Sequence, residues 1–261
     1  MAIHEPFIST CTFSPSIQDH SNTAMTIRHD AMNEAAYTLS MILNGNHVGH
    51  AYIGGFALNL LGSDRETSDI DVLLDVDCPS HIHSYVTPIL CGADSRFAVE
   101  NYKLYFGPAR IPIELLTCGM LNLPRRLSIM PTDTPIFPVP LPILPPGVLI
   151  LTKIKRASHY IGSTRPQSVF KYNADVRDIF YLLLWLQVRG EKIDFESYDA
   201  SDPRSIYRAF RAIHDHWRDT TGQSMVAPVL NAALQRRDRD IVFGEEHNVS
   251  EIIAQMPNLS M

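Results

Sequence analysis

Cysteine is scarce in this sequence: four in 261 residues, at positions 11, 78, 91 and 118, with no Cys-x-x-Cys pair. That density and spacing exclude a disulfide scaffold and a cysteine-bound zinc, and point to reduced thiols in a cytoplasmic protein. Long apolar runs are missing as well. The first 30 residues have neither the basic start nor the continuous apolar centre of a secretion signal, and no later stretch approaches the roughly 20 apolar residues that span a bilayer. No membrane partner is expected. Positive charge is in deficit: 22 Lys and Arg stand against 28 Asp and Glu, a net −6 with His neutral. The surface as a whole is therefore not built to neutralise nucleic-acid phosphates. Gly-x-x-x-x-Gly-Lys-Ser/Thr, Gly-x-Gly-x-x-Gly and Gly-x-Ser-x-Gly are absent too, which removes P-loop, Rossmann and serine-hydrolase readings. What remains, 45% hydrophobic and 19% charged, is ordinary globular composition with room for one or two domains.

The pattern divides the chain. Residues 1–24, rich in Ser, Thr, Pro and His without periodicity, read as a flexible tail. From Asp30 to Leu43 the residues Ala31, Ala35, Leu39 and Ile42 recur at helical spacing, with Asp30 as cap and Gly45 past the end. A strand at His50–Ile53, the Gly54-Gly55 break, a short helix over Phe56–Leu61 and a strand over Asp69–Val76 follow. Next come a helix over Ser80–Leu90 and two strand-like runs, Phe97–Phe106 and Arg110–Leu116, joined at Gly107-Pro108 as a hairpin. These elements make a core over 25–123. Eight of the 18 prolines lie between Pro124 and Pro146, so 124–146 cannot be an interior helix and is expected to be extended loop or edge, read as the connection between domains. Beyond it three apolar stripes at helical spacing, beginning at Ile150, Val176 and Ile206, make 147–261 a helical domain. The fold class is α+β: a short mixed sheet flanked by helices, followed by the helical domain.

The chemistry concentrates in Tyr52–Asp75. Side chains alternate along a strand, so Asp69 and Asp71 share one face while Ile70 and Val72 enter the core. Two carboxylates in one small volume repel, and divalent cations relieve that repulsion. Glu114, in Arg110-Ile-Pro-Ile-Glu-Leu-Leu, breaks an otherwise apolar strand and shares its face with Pro112 and Leu116. It supplies a third carboxylate if its strand lies beside that of the aspartates. Gly54-Gly55 before a short helix lets backbone N–H groups approach phosphate oxygens. Charge follows the same division: residues 62–100 hold eight acids and two bases, and 147–190 hold seven bases and two acids. Facing one another, these would form a cleft suited to a metal-bound polyphosphate.

Gly-Gly, a helix, Arg-x-Thr-x-Asp-x-Asp and a distant strand acid resemble the nucleotidyltransferase superfamily. That superfamily includes DNA polymerase beta, tRNA CCA-adding enzymes, aminoglycoside nucleotidyltransferases, and toxin and antitoxin nucleotidyltransferases of the AbiEii and MNT type. The resemblance implies a nucleotidyltransferase fold. It also implies transfer of a nucleoside monophosphate from a nucleoside triphosphate, ATP first among them, to an acceptor hydroxyl with release of pyrophosphate. Asp69, Asp71 and Glu114 would hold Mg2+ (or Mn2+), Gly54 and Gly55 would grip the triphosphate, and Arg65 and Thr67 would support them. Leu144–Lys155 and Lys171–Ile179 look like the helical half of AbiEii-type proteins, which assigns Lys153 to the phosphates and sets Lys171, with Asp175 and Asp178, in a polar cluster at the cleft. Phe56 departs from the pattern, since many members carry a small or hydroxylated residue there.

Other features have plainer readings. His81 and His83 lack a third ligand and read as surface histidines. Ile179–Leu186 reads as a buried helix, with Tyr181 or Trp185 at most bordering the nucleotide. A small molecule or a protein side chain is favoured as acceptor over nucleic acid, which the basic patch at 153–177 keeps open through a tRNA-directed transferase of the toxin type. A nucleotide-sensing or partner-binding protein without turnover is the alternative of another class.

Overall fold

The computed structural model describes residues 18–121, 123–132, 137–220 and 226–244, with side chains from residue 28 onward. Seven strands form one mixed sheet: β1 His50–Ile53, β2 Ile70–Leu74, β3 Phe97–Glu100, β4 Lys103–Phe106, β5 Ile111–Thr117, β6 Met130–Pro131 and β7 Pro142–Ile143. Their order across the sheet is β3-β4-β5-β2-β1-β7-β6. β2 lies at the centre because Ile70, Val72, Leu73 and Leu74 are apolar and fully buried. It runs antiparallel to β1 and parallel to β5.

Helix α1, Gln18–Gly45, buries Met32, Ala35, Ala36, Leu39 and Leu43, a stripe rotated slightly from the expected one. Two expectations are corrected here. Asp30 does not cap this helix but lies inside it, since no Pro or Gly interrupts the backbone ladder from Gln18 to Asn44. Of the segment read as a tail, residues 18–24 belong to α1, and 1–17 lie outside the described residues. The run Phe97–Phe106 is likewise two strands, not one. Asn101 and Tyr102, at φ +49° and +63°, turn the chain back so that Glu100 pairs with Lys103, and β3, β4 and β5 form a meander.

The proline-rich run, expected as extended loop or edge, supplies one edge of the sheet as well as the connection. β7 pairs parallel to β1 through Tyr52 and Ile143, and β6 pairs with β7 to finish the edge of the sheet. Prolines are tolerated at such an edge because their missing N–H groups can face away from the ladder. Leu141, Ile143 and Leu144 carry the same segment into the core.

The short α2, Gly54–Leu60, joins β1 to β2, and α3, Thr87–Ala93, follows a single π-type turn at Ile82–Val86. In the helical half come α4 Pro146–Ser158, α5 Pro166–Arg189, α6 Phe195–Tyr198, α7 Pro203–Asp219, α8 Val226–Ala232 and α9 Arg236–Phe243. Proline opens α4, α5 and α7, where its absent N–H costs nothing, and Gly190 at φ +67° ends α5. Helix α4 is buried nearly all round and is packed against α5, α6 and α7. The Trp217 indole donates to the Tyr172 hydroxyl at 2.9 Å and its ring stacks on Phe180, fastening α7 to α5. One apolar cluster runs unbroken from Met32 in α1 to Val242 in α9, so sheet and helices share a core. Among the described residues, no helix is long and apolar enough to cross a membrane.

Candidate active site

The strand register assembles the acids. Parallel pairing sets Asp71 directly opposite Glu114, and in-register partners project from the same face of a sheet. Asp69 immediately precedes β2, two residues along the chain, and therefore points to that side too. The expected face thus carries all three acids, with Ile70, Val72, Ile111 and Ile113 buried on the other. Thr67 steadies the entry to the strand, its hydroxyl donating to both the carbonyl oxygen and Oδ1 of Asp69 at 3.3 Å.

The glycine pair also serves a purpose beyond the expected one. Gly54 adopts φ +68°, and a Cβ there would fall 1.8 Å from Oδ2 of Asp71. A Cβ on Gly55 would meet Oγ1 of Thr67 at 2.6 Å and Nη1 of Arg65 at 3.1 Å. The glycines therefore make room for the carboxylate and its supports, and no side chain caps the first turn of α2 beside them. Phe56, the departure from the family pattern, is buried against Tyr52 with ring centroids 5.3 Å apart, so it belongs to the core. Burial and then the charges of Asp69 and Glu114 push the Asp71 carboxyl up to about 6, against the opposing pull of Lys153 and Arg156.

Across the cleft stands a second set of charges. On α4, Lys153 and Arg156 are three residues apart, and on α5 so are Asp175 and Asp178; the two pairs meet face to face. Lys153 Nζ lies 2.8 Å from Asp178 Oδ2, and Arg65 Nη1 donates to the same oxygen at 2.6 Å. Arg156 grips Asp175 with two bonds, at 2.8 and 2.5 Å. Lys153, Asp175 and Asp178 are almost wholly buried. Burial pulls the Lys153 amine down while Asp178 holds it up, and the hydrogen bond to Asp175 raises Arg156. Asn59 donates to the carbonyl oxygens of Ser63 and Arg65, and the Tyr181 hydroxyl donates to that of Leu61 at 2.7 Å. The loop carrying Arg65 and Thr67 is thereby held between α2 and α5.

Three cavities open onto the acids. One of about 400 Å³ joins Gly54, Asp71 and Glu114 to Lys153, Arg156 and Tyr160. Another, of about 680 Å³, lies between the 63–69 loop and α5, bounded by Arg65, Asp69, Phe170, Arg177, Asp178 and Tyr181. The third, also about 680 Å³, runs from Asp69 and Glu114 along β4 and β5 to the β3–β4 turn.

Of the residues singled out in sequence, Gly54, Gly55, Arg65, Thr67, Asp69, Asp71, Glu114 and Lys153 converge on this cleft. Lys171 does not: it is exposed on α5, next to Phe170 but outside the lining of all three cavities. Tyr181 borders the cleft, whereas Trp185 lies under Arg189. His81 lies near exposed Asp77, and His83 lines the third cavity. Arg156 and Arg177, counted in the sequence among the seven bases of 147–190 but not singled out as site residues, also line these cavities. Among the described residues no three of His, Cys, Asp or Glu are drawn together closely enough to form a metal cage. The carboxylates fit magnesium in another way, since that ion commonly takes one or two protein carboxylates and completes its shell with water and substrate phosphate.

No protein-family model matches the sequence, and no curated protein does. Among solved structures, the crystal structure of an antigenic nucleotidyltransferase-like protein from Paracoccidioides brasiliensis is similar over 83% of this chain and 98% of that one, with TM-score 0.57 and 16% identity. The solution structure of the antibiotic-resistance factor ANT(2'')-Ia matches more loosely, over 75% of this chain and 98% of its own, with TM-score 0.37 and 13% identity. The first likeness establishes the fold.

Proposed function

We propose that this chain, which has a nucleotidyltransferase-like fold, moves a nucleoside monophosphate from a nucleoside triphosphate such as ATP to an acceptor hydroxyl. The reading is carried by one observation: Asp71 and Glu114 are register partners on adjacent strands, facing Lys153 and Arg156 across a single cavity. Carboxylates from among Asp69, Asp71 and Glu114, one or two to an ion, would hold Mg2+ or Mn2+, which when bound neutralises phosphate charge and acidifies the acceptor hydroxyl. Arg65, Lys153 and Arg156 bind the phosphates, each yielding part of its bond to Asp175 or Asp178. The acceptor oxygen bonds to the α-phosphorus as the bond to the bridging oxygen breaks. Pyrophosphate leaves with that electron pair, and the hydroxyl proton passes to Glu114, the exposed member of the trio.

Label transfer from α-labelled ATP, with and without magnesium, tests this directly. Asp71→Asn is expected to reduce transfer at least about 100-fold while the protein stays folded, since it removes a charge aimed at the reacting phosphate. Transfer at the wild-type rate in that variant would overturn the assignment. One observation favours a second reading, a nucleotide sensor without turnover: Arg65, Lys153 and Arg156 are already ion-paired within the protein. Calorimetric binding of MgATP without pyrophosphate release would support it.

A further inference from the structure

The third cavity differs in chemistry from the other two, which are lined with charge. Its lining is mainly apolar and includes Val99, Tyr102, Leu104, Pro112, Met120 and Leu121. Four of these are large apolar side chains left open to water: Tyr102 is 94% exposed, Leu121 74%, Val99 48% and Met120 47%. Single exposed apolar residues are ordinary, but a cluster around one groove marks a binding surface. The groove is continuous with the acids, because Asp69 and Glu114 form its inner end and Pro112, Glu114 and Leu116 share its floor. A molecule lying in it would therefore bring one end to the carboxylates.

Charge narrows what that molecule can be. Among the described residues the lining holds one Lys or Arg, Lys103, and one histidine, His83, so a nucleic-acid strand would find few phosphate contacts there. Among the described residues the carboxylates of the lining are Asp69 and Glu114, which belong to the reacting end, so a polycation would find nothing there to neutralise the rest of its charge. A volume of about 680 Å³ suits a drug-sized molecule. Placing apolar surface against these walls would remove four large side chains from water.

We infer that this groove is the acceptor subsite, and that the acceptor is an uncharged, mainly apolar small molecule carrying a free hydroxyl, a phenol or an aliphatic alcohol. The inference rests on the nucleotidyl-transfer reading for its chemistry but not for its binding. The hydroxyl lies at Glu114, its oxygen bonds to the α-phosphorus, pyrophosphate departs, and the proton goes to the carboxylate.

Binding and transfer are measured separately on the full chain, with 1-naphthol and 1-decanol as apolar probes and kanamycin and an oligoribonucleotide as contrasts. Saturable binding of at least one apolar probe, by fluorescence or calorimetry without nucleotide, is expected. Val99→Asp and Tyr102→Asp, both at exposed positions, should weaken it at least tenfold. Val188→Asp, at an exposed apolar position of α5 outside the groove's lining, should leave it unchanged. Thermal melting confirms that each variant is folded. With α-labelled ATP and magnesium, label should appear on the bound probe. Groove-dependent binding without label would uphold the groove as an apolar-ligand site but overturn its acceptor role together with nucleotidyl transfer. Label on kanamycin or the oligoribonucleotide, indifferent to both groove variants, would uphold transfer and overturn the groove. Failure of both apolar probes to bind, or binding that ignores Val99→Asp and Tyr102→Asp, would overturn it as well.

Discussion

On the sheet side of the cleft three carboxylates share one face, and among the described residues none is ion-paired to a cation. On the helical side Lys153 and Arg156 are each seated on a buried carboxylate, and Arg65 reaches across to join them. The first region carries a charge imbalance that a bound cation would relieve; the second is balanced within the protein and holds two structural halves in register. Removing a charge should therefore have opposite consequences on the two sides. Sheet-side losses should spare the fold and damage chemistry, while helical-side losses should damage the fold first.

The sharpest test lies at Asp178. Asp178→Ala leaves Lys153 buried without its main partner and is expected to cost about 3–5 kcal/mol in stability, read by denaturant unfolding. The double variant Lys153→Met with Asp178→Leu should recover most of that loss, since apolar replacement of a buried pair is often neutral. Equal destabilisation in single and double variants would erase the contrast between the regions.

Asp71 gives the next largest effect. Its folded pKa of about 6 lies above the ordinary 3.8, so the folded state holds the proton more tightly than the unfolded chain. Stability from this group is full below about pH 4 and is lost as pH rises through about 6, on the order of 3 kcal/mol in all. Asp71→Asn should flatten that part of the stability profile, and without divalent cation at pH 7 it should melt no lower than wild type. A lower melting temperature would mean that the carboxylate is stabilising and the sheet side is balanced after all.

Lys171 should show the smallest effect. It is exposed and outside the cavity walls, so Lys171→Ala is expected to change calorimetric ATP affinity less than twofold, and Arg156→Ala considerably more. A larger loss from Lys171 would return it to the nucleotide.

Legibility varied along the chain for identifiable reasons. The face shared by Asp69 and Asp71 was readable because strand alternation is rigid, and Glu114 stood out because an acid interrupted an apolar run. The stripes through Ile150, Val176 and Ile206 were readable for the corresponding reason in helices. The start of α1 was not, since a polar stretch without Pro or Gly looks the same whether tail or helix. Nor was the break at Asn101-Tyr102, whose left-handed backbone follows from pairing with the neighbouring strands as much as from its own residues. The edge strands in the proline-rich run are two residues each, shorter than any periodicity can register.

By itself, then, the order of residues determined the central strands, the main helix stripes and the kinds of chemical group at hand, because each depends on backbone geometry within a few positions. Tertiary structure alone decided that Glu114 stands opposite Asp71, that Gly54 vacates the space its carboxylate fills, and that Arg65 and Lys153 share Asp178. Those are contacts between segments up to 113 residues apart, and the physical factors that select them, register, close packing and the cost of burying an unpaired charge, act only once the chain has folded.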